Sequence, residues 1–117
     1  MSDVIDYQLA LEQAAGDEGL AKELFKMLLN ELPILKEKLA SAIKANDLQG
    51  CWDHAHKIYG STAYCGVPAL RTAAQAMELV VKDEDMGQIE GNFTALSTAI
   101  ERLLERGQQA LMTNWDS

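Results

Sequence analysis

Apolar residues recur every three to four positions along most of the chain, which is the spacing of amphipathic helices. Four long stripes of this kind cover residues 20–43, 48–62, 70–81 and 89–104, and short polar segments separate them. A shorter helical pattern covers residues 7–14. Because few strand-like alternations occur, the pattern predicts an all-α protein. We expect an antiparallel four-helix bundle with an additional short N-terminal helix across one end.

Capping residues mark where the predicted helices begin and end. Asp6, Asp17 and Asp47 each directly precede a helical segment, where a carboxylate can accept hydrogen bonds from free backbone amides. Gly16 and Gly66 follow helical segments, at positions where a helix commonly ends in a left-handed residue. The boundaries therefore agree with the hydrophobic pattern.

The two prolines have different expected effects. Pro68 stands at the first position of a predicted helix, where the missing backbone donor costs nothing. Pro33 lies inside the first long stripe, and we expect it to kink or break that helix.

Composition favours one small domain spanning residues 1–117, since 48% of the 117 residues are hydrophobic. The net charge of −8 disfavours nucleic acid and anionic membranes as partners. No apolar run approaches the roughly 20 residues that span a bilayer, and the start, "MSDVIDYQ", lacks the features of a signal peptide. We expect a cytoplasmic protein with no membrane contact, in which Cys51 and Cys65 stay reduced.

Both histidines lie on the predicted third helix, in "HAHKIYGSTAYCG" (54–66). Two helical steps place His54 and His56 on opposite flanks of the apolar stripe, so they cannot bind one metal ion together. Cys51 and His54 are spaced to meet, but two ligands do not complete a metal site. We therefore expect no metal site.

Gly60 distinguishes His56 from His54, because it follows His56 by one helical turn and lies off the apolar stripe. A glycine inside a helix costs about 1 kcal/mol relative to alanine, and packing does not require this one. It would leave bare backbone beside His56, open to a partner, with Lys57 and Ser61 available to contact an anion. The alternative is an ordinary surface histidine beside a tolerated glycine.

The segment "AHKIYGSTAYCG" resembles the signature of histidine-containing phosphotransfer (HPt) domains, commonly A-H-x-L-K-G-S-S followed by a glycine. The matching positions are Ala55, His56, Ile58, Gly60, Ser61 and Gly66. The family pattern continues with spaced apolar residues and an acid, which here are Leu70, Ala74, Met77 and Glu78. The N-terminal segment is similar to HPt domains at the C-termini of GacS/BarA-type hybrid sensor kinases.

The resemblance implies that His56 is the phosphoacceptor of a multistep His-Asp phosphorelay. It would take a phosphoryl group from a receiver-domain aspartate of a hybrid sensor kinase and pass it to the receiver of a response regulator. The sequence has no P-loop, no kinase signature and no acidic metal cluster around His56. We therefore expect a carrier without kinase activity of its own and without a bound cofactor, so that Mg²⁺ comes from the partner receiver. We also expect a monomer. The alternative is a helical adaptor that is never phosphorylated.

The resemblance also implies roles for the neighbours of His56. Glu78, or less favourably Gln75, would orient the imidazole. The family usually has a lysine three residues after the histidine, but this sequence has Tyr59 there. Tyr59 or Lys57 would then contact the phosphoryl group, with the tyrosine hydroxyl expected near the edge where His56 lies.

Overall fold

A computed structural model describes residues 4–115, and all regular structure within that range is helical. The helices are α1 (Tyr7–Gln13), α2 (Glu18–Lys44), α3 (Leu48–Ser61), α4 (Pro68–Lys82) and α5 (Met86–Leu111), with a 3-10 turn (Thr62–Tyr64) after α3. The long helices form a bundle of 45 × 21 × 21 Å, in which α2 and α4 each pack against both α3 and α5. The predicted four-helix bundle with a short N-terminal helix is confirmed.

Aspartates cap the helices as the sequence predicts. The carboxylates of Asp6, Asp17 and Asp47 accept hydrogen bonds of 2.9–3.0 Å from backbone amides three residues further on. Asp85 does the same at the start of α5, at 3.2 Å. These bonds satisfy amides that have no partner within the first helical turn.

The long α2 helix continues through Pro33, so of the expected kink or break the break is wrong. Pro33 is exposed, whereas Leu32 and Leu35 beside it are buried in the core. Packing on both sides of the proline therefore holds the helix together despite the lost hydrogen bond, because tertiary contacts supply most of a helix's stability.

The core is built from the predicted stripes, but the buried face of α2 differs from the predicted one at several positions. Leu20, expected in the stripe, is 47% exposed, and the neighbouring Ala21 and Phe25 are fully buried instead. The largest other side chains that are almost completely buried are Leu32, Leu39, Ile58, Leu70, Met77, Ile89, Leu96, Ile100 and Leu103. This core fixes the rotation of each helix about its own axis, and so decides which side chains face the surface.

The connection between α3 and α4 is anchored by α1. Gly66 has a φ of +63°, its carbonyl accepts from the Asp6 amide at 2.8 Å, and its amide donates to Gln13 Oε1 at 3.0 Å. Cys51 in α3 and Cys65 before Gly66 are both buried free thiols. In the span from residue 4 to residue 115, no helix is long and apolar enough to cross a membrane.

Candidate functional site

The core-facing side of α3 determines where its two histidines lie. Cys51, Ala55 and Ile58 are buried, which leaves His54 and His56 on opposite flanks of the helix. His54 is half-buried and lines an open groove against α2, together with Ile34. His56 lies on the other flank, beside α4, with 62% of its side chain exposed.

His56 is held by an acid on the neighbouring helix. Its Nδ1 atom lies 2.7 Å from Oε1 of Glu78, whose side chain is only 12% exposed. An ionised carboxylate can only accept, so this hydrogen bond requires the proton on Nδ1. The neutral ring then carries its lone pair on Nε2. Of the two residues considered for orienting the imidazole, the structure brings Glu78 into contact and leaves Gln75 exposed without a hydrogen bond to it.

An aromatic ring covers one side of the imidazole. Trp52 lies one turn before His56 on α3, with ring centroids 5.2 Å apart and an angle of 14° between the planes. The indole is half-buried against the core, and Lys82 Nζ lies 5.3 Å from its ring centroid. Trp52 lies within the apolar stripe predicted over residues 48–62, and its contact with His56 was not predicted. A separation of four residues on a helix is the signal that could have found it.

Tyr59 packs partly against the core and is bound by an arginine of the neighbouring helix. Its hydroxyl accepts a hydrogen bond of 2.9 Å from Nη2 of Arg71, and the guanidinium carbon lies 4.4 Å from the tyrosine ring centroid. Arg71 Nη1 also donates to Thr62 Oγ1 at 3.1 Å. The hydroxyl is therefore bonded to Arg71 on α4, the same helix whose Glu78 contacts His56. That the hydroxyl lies toward the edge of α3 where His56 lies stays a prediction. Arg71 was not among the residues predicted from the sequence.

Of the remaining predicted neighbours of His56, two are exposed and one is bonded within its own helix. Gly60 is exposed, and a Cβ atom built there would meet nothing within 4 Å, so packing does not require glycine. Lys57 is also exposed. The hydroxyl of Ser61 donates to the Ile58 carbonyl at 2.7 Å, which uses its proton within the helix.

The arrangement provides an accessible nucleophile with a defined proton position. The hydrogen bond to the ionised Glu78 carboxylate requires the proton on Nδ1 and leaves the lone pair on Nε2. The side chain is 62% exposed, which suits attack on an electrophile brought by a partner. In the part of the chain that the structure describes, no three His, Cys, Asp or Glu side chains are grouped as metal ligands would be.

The Hpt domain family model matches residues 23–108 of the chain. The chain is 40% identical over 82 residues to the sensor histidine kinase GacS of Pseudomonas protegens, and 37% identical over 86 residues to the histidine-protein kinase BarA of Escherichia coli K12. Each match covers 70% of this chain but only 9% of the relative.

Two further proteins match nearly the whole chain. The phosphorelay intermediate protein rdeA of Dictyostelium discoideum is 23% identical over 95% of the chain and 43% of its own length. A crystal structure of the HPT domain from a Shewanella hybrid histidine kinase superposes with a TM-score of 0.85 and 30% identity, over 93% of this chain and 94% of that domain.

Proposed function

The chain belongs to the Hpt domain family, and we propose that it carries a phosphoryl group on His56 between receiver domains. The observation that supports this most directly is the contact of His56 Nδ1 with Glu78 at 2.7 Å, on a side chain that is 62% exposed. It gives the outer nitrogen both the lone pair and the access that a phosphoacceptor needs.

The proposed transfer begins with the Nε2 lone pair of His56 attacking the phosphorus of a receiver aspartyl phosphate. A P–N bond forms as the P–O bond to the aspartate breaks, and the electron pair of that bond returns to the aspartate carboxylate. The imidazole gains positive charge while its Nδ1 proton stays in place. The carboxylate of Glu78, which accepts that proton's hydrogen bond at 2.7 Å, stabilises this charge. Transfer to the next receiver reverses these steps.

The partner must complete the reacting site. Phosphoryl transfer depends on in-line positioning and on neutralisation of the phosphoryl oxygens. This chain offers the nucleophile and nearby cations, with Lys57 next to His56 in sequence and Lys82 beside Trp52. Mg²⁺ held by the receiver would supply further charge neutralisation, and the receiver's aspartate is the donor or acceptor. We propose that the partners are receivers of a hybrid sensor kinase and of a response regulator.

We also propose that the chain is a cytoplasmic monomer that does not bind nucleic acid. A monomer suits a carrier whose single His56 face must meet two receivers in turn. The net charge of −8 opposes binding to nucleic acid. The two buried thiols suit the reducing cytoplasm.

The test compares the two histidines as matched variants. Receiver domains charged with labelled acetyl phosphate are incubated with the parent chain, His56→Gln and His54→Gln, and acid-labile label on each is measured. We expect His56→Gln to lose uptake by at least a hundredfold at unchanged helix content, because no other nucleophile replaces Nε2. His54→Gln should retain uptake, since His54 lies against α2.

Label on His56→Gln would refute the assignment of the acceptor. Absence of label from the parent chain with every receiver tested, at retained receiver binding, would favour the unphosphorylated adaptor instead.

A further inference from the structure

We propose that Trp52 is a positioning residue that holds the plane of the His56 imidazole, so that Nε2 is presented to a partner in one orientation. The inference rests on the proposed function and extends it to a residue that does not react. It is carried by the stacked pair itself, with centroids 5.2 Å apart and planes within 14° of parallel.

An exposed histidine on a helix needs such a constraint. Its ring turns about two side-chain bonds, and the second has a broad torsional preference. The hydrogen bond from Nδ1 to Glu78 fixes the position of one ring atom, but it leaves the ring free to tilt about that contact. A flat surface against the ring face removes this second freedom, and Trp52 provides it.

The backbone geometry of α3 places the two rings together. Side chains four residues apart lie on the same face of a helix, and helical side chains lean toward the N-terminus. The ring of His56 therefore lies back over Trp52. The same rule excludes Trp52 as a ring partner of His54, which is only two residues away.

Trp52 is itself held firmly enough to position another ring. It is half-buried and packs against the core, and it borders a hollow between α3 and α4 with Leu48 and Val81. The ammonium of Lys82 lies 5.3 Å from its ring centroid, within reach of a cation–π interaction. The indole is thus fixed by both helices, whereas the exposed imidazole is fixed mainly by the indole and Glu78.

The variants Trp52→Phe and Trp52→Leu test this role, with Phe93→Leu as a matched control. Phe93 is a half-buried aromatic residue on α5. The α5 helix packs against α2 and α4, whereas Trp52 and His56 lie on α3. Urea unfolding of each variant first establishes that it is folded. Trp52→Phe keeps an aromatic face of smaller area, whereas Trp52→Leu keeps only apolar bulk.

The first measurement is NMR of the ring protons of His56 in the unphosphorylated chain. Stacking on an indole shifts these protons upfield, and we expect Trp52→Leu to abolish that shift and lower the order parameter of the ring. Trp52→Phe should retain part of both effects, and Phe93→Leu should retain both in full.

The second measurement is the rate of phosphoryl transfer from a charged receiver as a function of receiver concentration. We expect Trp52→Leu to lower the rate at saturating receiver by roughly two- to tenfold, as the worth of an aromatic pair implies, with partial rescue in Trp52→Phe. The half-saturating receiver concentration should not change, because positioning acts on the bound complex.

Unchanged His56 ring signals in Trp52→Leu would overturn the inference, as would an unchanged saturating rate. So would a defect confined to the half-saturating concentration, which would make Trp52 a docking residue. Failure of the parent chain to accept phosphate would instead overturn the proposed function, while the NMR comparison would still decide whether Trp52 holds the ring.

Discussion

The Tyr59 side chain is held by a cation of the neighbouring helix. Arg71 donates to its hydroxyl at 2.9 Å and lies over its ring, with the guanidinium carbon 4.4 Å from the centroid. Lys57 is exposed next to His56 in sequence, and its long side chain can turn toward a phosphoryl group. The two residues that could replace the family lysine therefore differ. Tyr59 is held by Arg71, whereas Lys57 is exposed and has a long, flexible side chain.

This difference predicts that substitution of Tyr59 affects stability, whereas substitution of Lys57 affects phosphoryl transfer. Tyr59→Phe should lower the free energy of unfolding by about 1 kcal/mol through the lost hydrogen bond, while leaving the phosphohistidine lifetime within about twofold of the parent. Lys57→Ala should leave stability within about 0.5 kcal/mol but slow transfer, more so at low salt, because salt screens an exposed charge. Urea unfolding measures the stabilities, and decay of labelled phosphoprotein measures the lifetimes. The rate of transfer from a charged receiver to His56 at two salt concentrations measures the effect of Lys57→Ala.

A large lifetime defect in Tyr59→Phe together with a silent Lys57→Ala would contradict this prediction. It would show that the tyrosine hydroxyl, polarised by Arg71, stabilises the phosphoryl group.

At the scale of helices, Gly16 and Gly66 follow the ends of helical segments in left-handed conformations, but for different reasons. Gly16 has a φ of +83°, and a Cβ atom there would meet nothing within 4 Å. Gly66 has a φ of +63°, and a Cβ atom would lie 2.5 Å from the Asp6 carbonyl oxygen and 2.7 Å from Ala10 Cβ. Gly66 therefore permits both a turn and the close approach of α1 to the connection that follows the His56 helix.

Alanine at these two positions should separate the requirement for a left-handed backbone from the requirement for space beside α1. Gly16→Ala carries only the conformational penalty, and we expect a loss of about 1 kcal/mol in the free energy of unfolding. Gly66→Ala adds a collision with backbone and should cost about 3 kcal/mol in total. Urea unfolding of both variants measures the difference, and equal costs would show that α1 moves away without loss.

At the scale of the whole molecule, the two buried thiols make the free energy of unfolding depend on pH in the alkaline range. Burial, and then the negative charge of Glu31, raise the pKa of Cys65 from its ordinary value of 9.0 to about 11, while a backbone hydrogen bond from Tyr64 lowers it less. Burial and Asp47 also raise the pKa of Cys51. In the unfolded chain both thiols would ionise at lower pH than in the bundle.

Because the pKa of Cys65 is raised in the folded chain, ionisation of this thiol lowers the free energy of unfolding at alkaline pH. Its contribution to stability is complete below pH 9 and is lost as pH rises toward 11, because the unfolded state releases the proton first. We expect the unfolding free energy of the parent to fall more steeply than that of Cys65→Ser over this range. The difference in slope has a ceiling of about 1.4 kcal/mol per pH unit. Urea titrations between pH 8 and 11 test this, and parallel curves would contradict it.

Features that depend on local spacing were predictable from the sequence. The four stripes, the caps at Asp6, Asp17 and Asp47, and the opposite flanks of His54 and His56 all follow from residues within a turn or two of one another. The stacking of Trp52 on His56 has the same local origin, and it was missed only because an apolar stripe accounted for the tryptophan. The role of His56 came from the resemblance, since spacing left an ordinary surface histidine as an alternative.

Contacts between side chains of different helices depend instead on how the helices pack. The contacts of Glu78 with His56 and of Arg71 with Tyr59 depend on the rotation and offset of α4 against α3. That geometry is set by the packing of buried side chains from the whole bundle, which no single stripe specifies. Packing also overrode a local signal at Pro33, where the buried leucines on either side keep α2 continuous although the proline removes a backbone donor.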